Sequence, residues 1–221
     1  MFRNRTEAGR LLGNALLPFR VQNAIVLAIP GGGVPVGREV ADILGSELDV
    51  IVTRKIGAPG NPEYAIGSVT QDGQIITDMR LLEELHISHD YLESEAATQL
   101  EKIRNSLKKY RGMKAYPELE GRTAVIVDDG IATGSTMRAA IQSARKMSAS
   151  TIIAAVPVGP RDTIAKLSKL ADRVVCLMSP VNFFAVGDYY SEFEQVDEET
   201  VSRMLGGSGT TSGSGQVSIP R

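Results

Sequence analysis

Two adjacent carboxylates, Asp128 and Asp129, stand at the end of the apolar run Ala124 to Val127 and directly before Gly130-Ile131-Ala132-Thr133-Gly134-Ser135-Thr136. A short β-branched run bounded by turn residues suits a strand buried on both faces, as in a parallel sheet, and Met137 to Met147 follows with a helical pattern. Gly130 and Gly134 let the backbone turn tightly and approach a ligand. Thr133, Ser135 and Thr136 add hydroxyls to the backbone N–H groups that open the next helix, which makes a phosphate-sized nest. Two acids beside that nest would repel a bare anion, so the ligand must also offer hydroxyls or a bound cation. A sugar phosphate meets both demands. An ordinary strand-turn-helix with a capping Asp or Ser explains neither the second acid nor the glycine spacing.

Other stretches carry complementary chemistry. Ala24 to Ile29 reads as a buried strand, broken by Pro30-Gly31-Gly32-Gly33 before a helix from Pro35 to Leu44. As a P-loop this turn fails, because Arg38-Glu39 stands where Lys and Ser/Thr would hold phosphate and magnesium. As a dinucleotide fingerprint it fails at Val36, which weakens a nucleotide-dependent oxidoreductase. Its backbone N–H groups remain available to an anion. Leu48 to Thr53 is the next strand and delivers Arg54 and Lys55 at its carboxyl end, where open α/β sheets bind ligands; a solvated basic pair is the plain alternative. Ile56 to Tyr64 reads as a Gly/Pro/Asn loop, and Ala65 to Val69 with Gln74 to Thr77 as a β-hairpin.

The acid pair and its turn resemble the signature of type I phosphoribosyltransferases, with every element of Asp-Asp-Gly-x-x-Thr-Gly-Ser-Thr in place from Asp128 to Thr136. The resemblance implies that Asp128 and Asp129 bind the ribose hydroxyls of phosphoribosyl pyrophosphate (PRPP), directly or through Mg²⁺ carried by it. It implies that Gly130, Ile131, Ala132, Thr133, Gly134, Ser135 and Thr136 bind the 5′-phosphate. Gly31, Gly32 and Gly33 then face the pyrophosphate, and Arg54 and Lys55 neutralise it as it leaves. No cofactor other than Mg²⁺ is implied. The family also carries a loop or hairpin that closes over the reacting centre, with Asn61, Glu63 and Tyr64 as its polar candidates, and a small hood that supplies the acceptor pocket. A closer likeness spans residues 1 to 205, through the strand-PGGGVPVG opening and the AVGDYY ending, and brings no assigned acceptor with it.

The remaining elements must position this chemistry. Thr6 to Leu17 has apolar residues at helical spacing with Thr6 as cap, and Asp90 to Arg111 is a long amphipathic helix. Thr151 to Val156, Asp162 to Leu170 and Arg173 to Met178 continue a βαβ alternation. The expected fold is therefore α/β: a doubly wound, mostly parallel sheet with a β-hairpin flexible loop and a small C-terminal hood over 178–196. Phe183, Phe184, Tyr189, Tyr190 and Phe193 hold five of the chain's eleven aromatics, either as a ring-binding surface or as packing for a helix from Asp197 to Leu205. With Asn61 and Glu63, Phe183, Phe184 and Tyr189 are the acceptor-pocket candidates. Residues 1–205 form one expected domain, and the Gly/Ser-rich 206–221 reads as a disordered tail or linker.

The 221 residues include 24 basic and 26 acidic ones, so overall charge gives no pull toward nucleic acid. The expected partners are PRPP and a small acceptor, and a homodimer is compatible. Cys176 is the single cysteine and reads as a core thiol in a reducing, cytoplasmic setting; no apolar run approaches membrane-spanning length. His86 and His89 fall short of a metal site by themselves. The rival to an enzyme is a regulatory protein that keeps the PRPP site as a sensor. Retention of Arg54, Lys55 and the polar loop residues speaks for turnover.

Overall fold

The computed structural model describes residues 1–19, 21–112 and 114–206; the Gly/Ser-rich tail from 207 onward lies outside the described residues. Helix α1 (Arg5–Leu16) leads into strand β1 (Ala24–Ala28), helix α2 (Gly33–Leu44) and strand β2 (Glu47–Val50). An antiparallel insertion follows, made of β3 (Thr53–Ala58), β4 (Asn61–Thr70) and β5 (Ile75–Thr77), then α3 (Met79–Glu84) and α4 (His89–Arg111). The chain returns through β6 (Thr123–Val127), α5 (Ser135–Lys146), β7 (Thr151–Val158), α6 (Arg161–Leu167), β8 (Arg173–Met178) and a last helix, α7 (Glu198–Met204).

The main sheet has the order β2-β1-β6-β7-β8, and every neighbouring pair is parallel. Alternate residues of a strand face opposite sides of the sheet, which explains why the central strands β1, β6 and β7 are almost entirely apolar. Ile25, Leu27, Ile126 and Ile152 pack toward Met137, Ala140 and Ile141 of α5. Val26, Val125, Val127 and Ile153 face the other way, onto Leu12 and Leu16 of α1 and Val36 and Val40 of α2. Both faces are covered, as parallel sheets require. Each fully buried Leu or Ile contributes about 1.5–3 kcal/mol, so the two layers fix the strands firmly. From β1 the chain winds outward to β2, and from β6 it winds the opposite way to β7 and β8. The β1/β6 boundary is therefore a topological switch point, where the carboxyl ends of adjacent strands open a crevice.

The doubly wound α/β expectation is met, with several local corrections. The first helix is capped by Asn4, whose side chain accepts the Glu7 N–H at 3.1 Å, not by Thr6. The second helix begins at Gly33, two residues before Pro35. The core strand expected to reach Thr53 ends at Val50, and Arg54 and Lys55 lie inside β3 of the separate sheet β3-β4-β5. The expected loop Ile56 to Tyr64 is largely strand, because β3 and β4 pair antiparallel around a tip at Pro59-Gly60, where Gly60 takes φ 74°. Turn residues set the tip while Ile56 and Ile66 anchor the base in a core with Leu92 and Ile103 of α4. The hairpin read at Gln71-Asp72-Gly73 is the β4/β5 pair.

Candidate functional site

The turn after β6 has the geometry of an anion nest. Gly134 sits at φ 77°, in the left-handed region, immediately before α5, which has no side-chain N-cap. The Arg138 N–H donates to the Gly134 carbonyl at 2.9 Å, which leaves the first-turn N–H groups of Ser135, Thr136 and Met137 free of intrahelical partners. Thr133 and Ser135 hydroxyls lie 3.2 Å apart at the same end. The turn is fixed from behind, since Ile131 N–H donates to Val158 O at 2.9 Å and the Thr163 hydroxyl to Ala132 O at 3.0 Å. A groove of about 240 Å³ runs along the turn from Asp128 to Met137 and is closed on one side by Val186. Gly130 is required there: a Cβ would meet Val186 Cγ1 at 2.5 Å.

The two acids are not equivalent. Asp128 accepts the Asp129 N–H at 2.9 Å. Its surface still touches solvent, but protein atoms surround the carboxyl; this burial, and then the charge of Asp129, hold it well above the ordinary carboxylate range. Asp129 is instead paired. Arg5 Nε donates to its Oδ2 at 2.8 Å, with the two side chains only 11% and 13% exposed, and the Tyr190 hydroxyl donates to its carbonyl at 2.5 Å. Burial, then the Asp129 charge, pushes the Tyr190 phenol far up, so it stays a donor.

The glycine turn after β1 lies against this pair, and its three glycines answer to different constraints. Gly31 adopts φ 91° with open space around it. A Cβ on Gly32 would lie 1.8 Å from Asp129 Oδ2, and one on Gly33 would lie 2.9 Å from the Val127 carbonyl. A cleft of about 550 Å³ joins this turn to Asp128, Asp129 and Thr136 on one side and to Arg54 and Lys55 on the other. Arg54 Nε is buried without a hydrogen-bond partner among the described residues. Lys55 forms an exposed ion pair with Glu63 across the hairpin at 2.7 Å, a contact that weakly restrains it. The two clefts share Asp128 and Thr136.

The acid pair, phosphate turn, glycine turn and basic pair are thus brought together, while the acceptor-pocket candidates are scattered. Phe183 stacks on Tyr189 at 5.5 Å and Phe184 is 88% exposed; none of the three lines either cleft. Asn61 lines an outer groove with Tyr64, and Glu63 faces Lys55. The aromatic segment instead packs on the N-terminus, through Phe2 on Tyr190 and Tyr190 on Phe193. Residues that the sequence did not disclose complete the cleft: Ser106 and Tyr110 from α4, and Val196, Glu198 and Val201 around α7. His86 and His89 are exposed, and no cluster of metal-ligating side chains occurs among the described residues. Cys176 is partly buried, its thiol pushed up by burial, and packs on the core as expected. No helix among the described residues is long and apolar enough to cross a membrane.

A doubly wound sheet with an anion nest, an acid pair and cationic side chains gathered at its switch point is an α/β architecture of the phosphoribosyltransferase type. The phosphoribosyl transferase domain model matches residues 5–192, and the chain belongs to that family. Two curated Mycobacterium tuberculosis proteins, from strains CDC 1551 / Oshkosh and H37Rv, are each 40% identical over 205 residues, or 93% of this chain, and carry the name "Putative phosphoribosyl transferase". The chain spans about half the length of these relatives, 46% of each. The crystal structure of TT1426 from Thermus thermophilus is 41% identical and superposes with a TM-score of 0.82 over 92% of this chain and 97% of that one.

Proposed function

We propose that the protein is a phosphoribosyltransferase that uses PRPP with Mg²⁺ and transfers the phosphoribosyl group to a nitrogen heterocycle, releasing pyrophosphate. The observation that carries this reading is the convergence at one switch point of a phosphate nest, two acids and a cationic wall, in clefts that share Asp128 and Thr136. A simple pentose phosphate would leave the cationic wall unused. The buried, unpartnered Arg54 Nε supports an anionic ligand group on that side.

In this reading the N–H groups and hydroxyls of Thr133 to Thr136 hold the 5′-phosphate, and Asp128 and Asp129 hold the ribose 2′ and 3′ hydroxyls. Gly31 to Gly33, Arg54 and Lys55 face the pyrophosphate. The C1–O bond breaks with its electron pair leaving on pyrophosphate. A ring nitrogen forms the new C1–N bond, and its proton passes to solvent. Catalysis is then mostly positioning and charge neutralisation, with no protein nucleophile. In this cleft the acid pair stands beside the glycine turn and Glu198 lines the α7 side, and no three-ligand cluster forms among the described residues. The acid pair fits Mg²⁺ that arrives on PRPP, with Asp128 and Asp129 as hard oxygen donors beside it. Bound there, the ion would offset charge on the departing pyrophosphate.

We also read residues 1–205 as one domain, with 178–196 and the first residues of the chain together as its hood. Calorimetric titration with PRPP and Mg²⁺ tests the core of the proposal. Wild type should bind and the Asp128→Asn/Asp129→Asn variant should lose at least about tenfold in affinity, roughly 1.4 kcal/mol; equal binding by both would sink the site. A panel of purines, pyrimidines and other nitrogen nucleophiles, scored for pyrophosphate release, then separates an enzyme from a PRPP sensor. Lys55→Ala should slow turnover more than it weakens binding, and an unchanged rate would remove Lys55 from the machinery.

A further inference from the structure

Asp129 is gripped at both ends by residues far apart in the chain, Arg5 and Tyr190. Its carboxylate receives Arg5 Nε at 2.8 Å, and its carbonyl receives the Tyr190 hydroxyl at 2.5 Å. Arg5 is itself held: Nη1 donates to the Glu194 carbonyl at 2.5 Å, and the guanidinium lies 3.9 Å from the centroid of the Phe193 ring. The segments that carry these groups are tied by backbone hydrogen bonds. Phe2 N donates to Tyr189 O at 2.8 Å, Ser191 N to Phe2 O at 2.9 Å and Glu192 N to Arg3 O at 2.8 Å. A side-chain bond from Asn4 Nδ2 to Glu192 at 3.0 Å closes the ladder.

Arginine suits this place better than lysine. One planar group serves a carboxylate, a carbonyl and an aromatic face at once. The pair is largely shielded from water, where a single removed partner leaves a costly unpaired charge. Arg5 engages Oδ2, and among the described residues no arginine, lysine or backbone N–H bonds to Oδ1, while the Asp128 carboxyl lies within hydrogen-bonding reach of the Asp129 side chain. Asp129 lines the cleft beside the glycine turn, so its carboxylate borders the space a ligand would occupy. The space for the arrangement comes from the glycine turn, since a Cβ on Gly32 would fall 1.8 Å from Oδ2 and 2.8 Å from Arg5 Nε.

We propose that Arg5 is a positioning residue for substrate: it clamps Asp129 through Oδ2 so that the carboxylate is presented to the ribose of PRPP in a fixed orientation. The proposal rests on the PRPP reading of the site. Arg5 touches no reacting atom and acts through Asp129. A mobile carboxylate would have to be ordered at each binding event, and the clamp removes that cost beforehand.

The test is a double-mutant cycle read by calorimetric titration with PRPP and Mg²⁺, at a temperature where thermal melts show every variant folded. Arg5→Gln should weaken PRPP binding about tenfold or more, and Arg5→Lys, which keeps the charge and one hydrogen bond, should recover part of the loss. In an Asp129→Asn background, Arg5→Gln should cost less than about twofold more, because the group it positions has gone. A merely structural arginine would lower the melting temperature and leave PRPP affinity of the folded protein unchanged. Should Arg5→Gln fail to fold, Arg5→Lys runs the same cycle. Binding by the Arg5 variants within twofold of wild type, or an undiminished loss in the Asp129→Asn background, overturns the clamp alone. A wild type that does not bind PRPP overturns the site reading and the clamp together.

Discussion

At the scale of single residues the site combines one neutralised and one unneutralised acid. Arg5 compensates Asp129, whereas burial and the charge of Asp129 raise Asp128. Ionising Asp128 is therefore harder in the folded chain than in the unfolded one. Its favourable contribution is complete below the unfolded value of about 3.9 and is lost as pH rises through the higher folded value. Asp128→Asn keeps an oxygen for the Asp129 N–H and removes the charge. The variant should melt above wild type at pH 7–8, by about 2–4 °C for each kcal/mol relieved, with a margin that shrinks toward pH 4. Melting curves across that range check this, and a pH-independent margin would reject it. The same substitution should weaken PRPP, so stability and binding move in opposite directions. The glycine turn separates two effects in a similar way. Gly31→Ala meets open space but strains a φ of 91°, at a cost of about 1–2 kcal/mol. Gly32→Ala has an ordinary φ of −60° and collides with Asp129 Oδ2. Titration should find PRPP affinity reduced less in Gly31→Ala than in Gly32→Ala, where the loss should exceed about tenfold, or about 1.4 kcal/mol. The reverse order would mean that the turn does not support Asp129.

At the scale of elements, the parts legible in the sequence are those whose signals are local. The apolar runs of β1 and β6 declared buried strands, and Asp128 to Thr136 declared a strand-turn-helix nest because glycines, hydroxyls and acids are contiguous there. Arg5 gave no such signal: its partner lies 124 positions away, and only the fold brings them together. Ser106, Tyr110 and Val201 are equally silent, since each sits on an amphipathic helix where it reads as packing. The Ile56 to Tyr64 segment was misleading for a different reason. Its Pro, Gly and Asn residues mark one tight tip, but their density obscures the strands that pair on either side. Residues Asn61 to Ala65 are exposed, and register breaks near Gly57 separate them from the buried base. The Tyr91 hydroxyl, which donates to Gly57 O at 3.0 Å, fastens the break to α4. Tyr91→Phe removes a hydrogen bond worth about 0.5–1.5 kcal/mol. Amide hydrogen exchange over residues 57–65 should quicken about twofold to tenfold, with exchange in β1 and β6 unchanged. Unaltered exchange in the arm would show that this bond does not restrain it.

At the scale of the whole molecule, the switch point explains where a ligand can enter, and the pairing of residues 2–3 with 189–192 explains how that end of the sheet is held. The crevice opens because β1 and β6 send their following helices in opposite directions, and a sheet alone supplies no roof above it. The first residues and the segment 189–192 build one side as a short ladder. Phe2 is the peg of that ladder: it is 4% exposed, lies 5.4 Å from the Tyr190 ring and shares a small core with Ala8 and Val158. Ala8 belongs to α1 and Val158 to β7, so the peg reaches both the covering helix and the central sheet. Loss of Phe2 should therefore be felt globally rather than as a frayed terminus. Phe2→Ala is expected to cost about 3–5 kcal/mol, or about 6–20 °C in melting temperature for a chain of this size. The transition should remain single, with far-ultraviolet and aromatic probes coinciding. PRPP affinity should also fall at temperatures where the variant is folded, because Tyr190 no longer has its packing partner while holding the Asp129 carbonyl. Two separated transitions, or a melting temperature unchanged with exchange accelerated only in residues 1–4 and 189–193, would show instead that the ladder is an appendage to the sheet and that the site is organised without it.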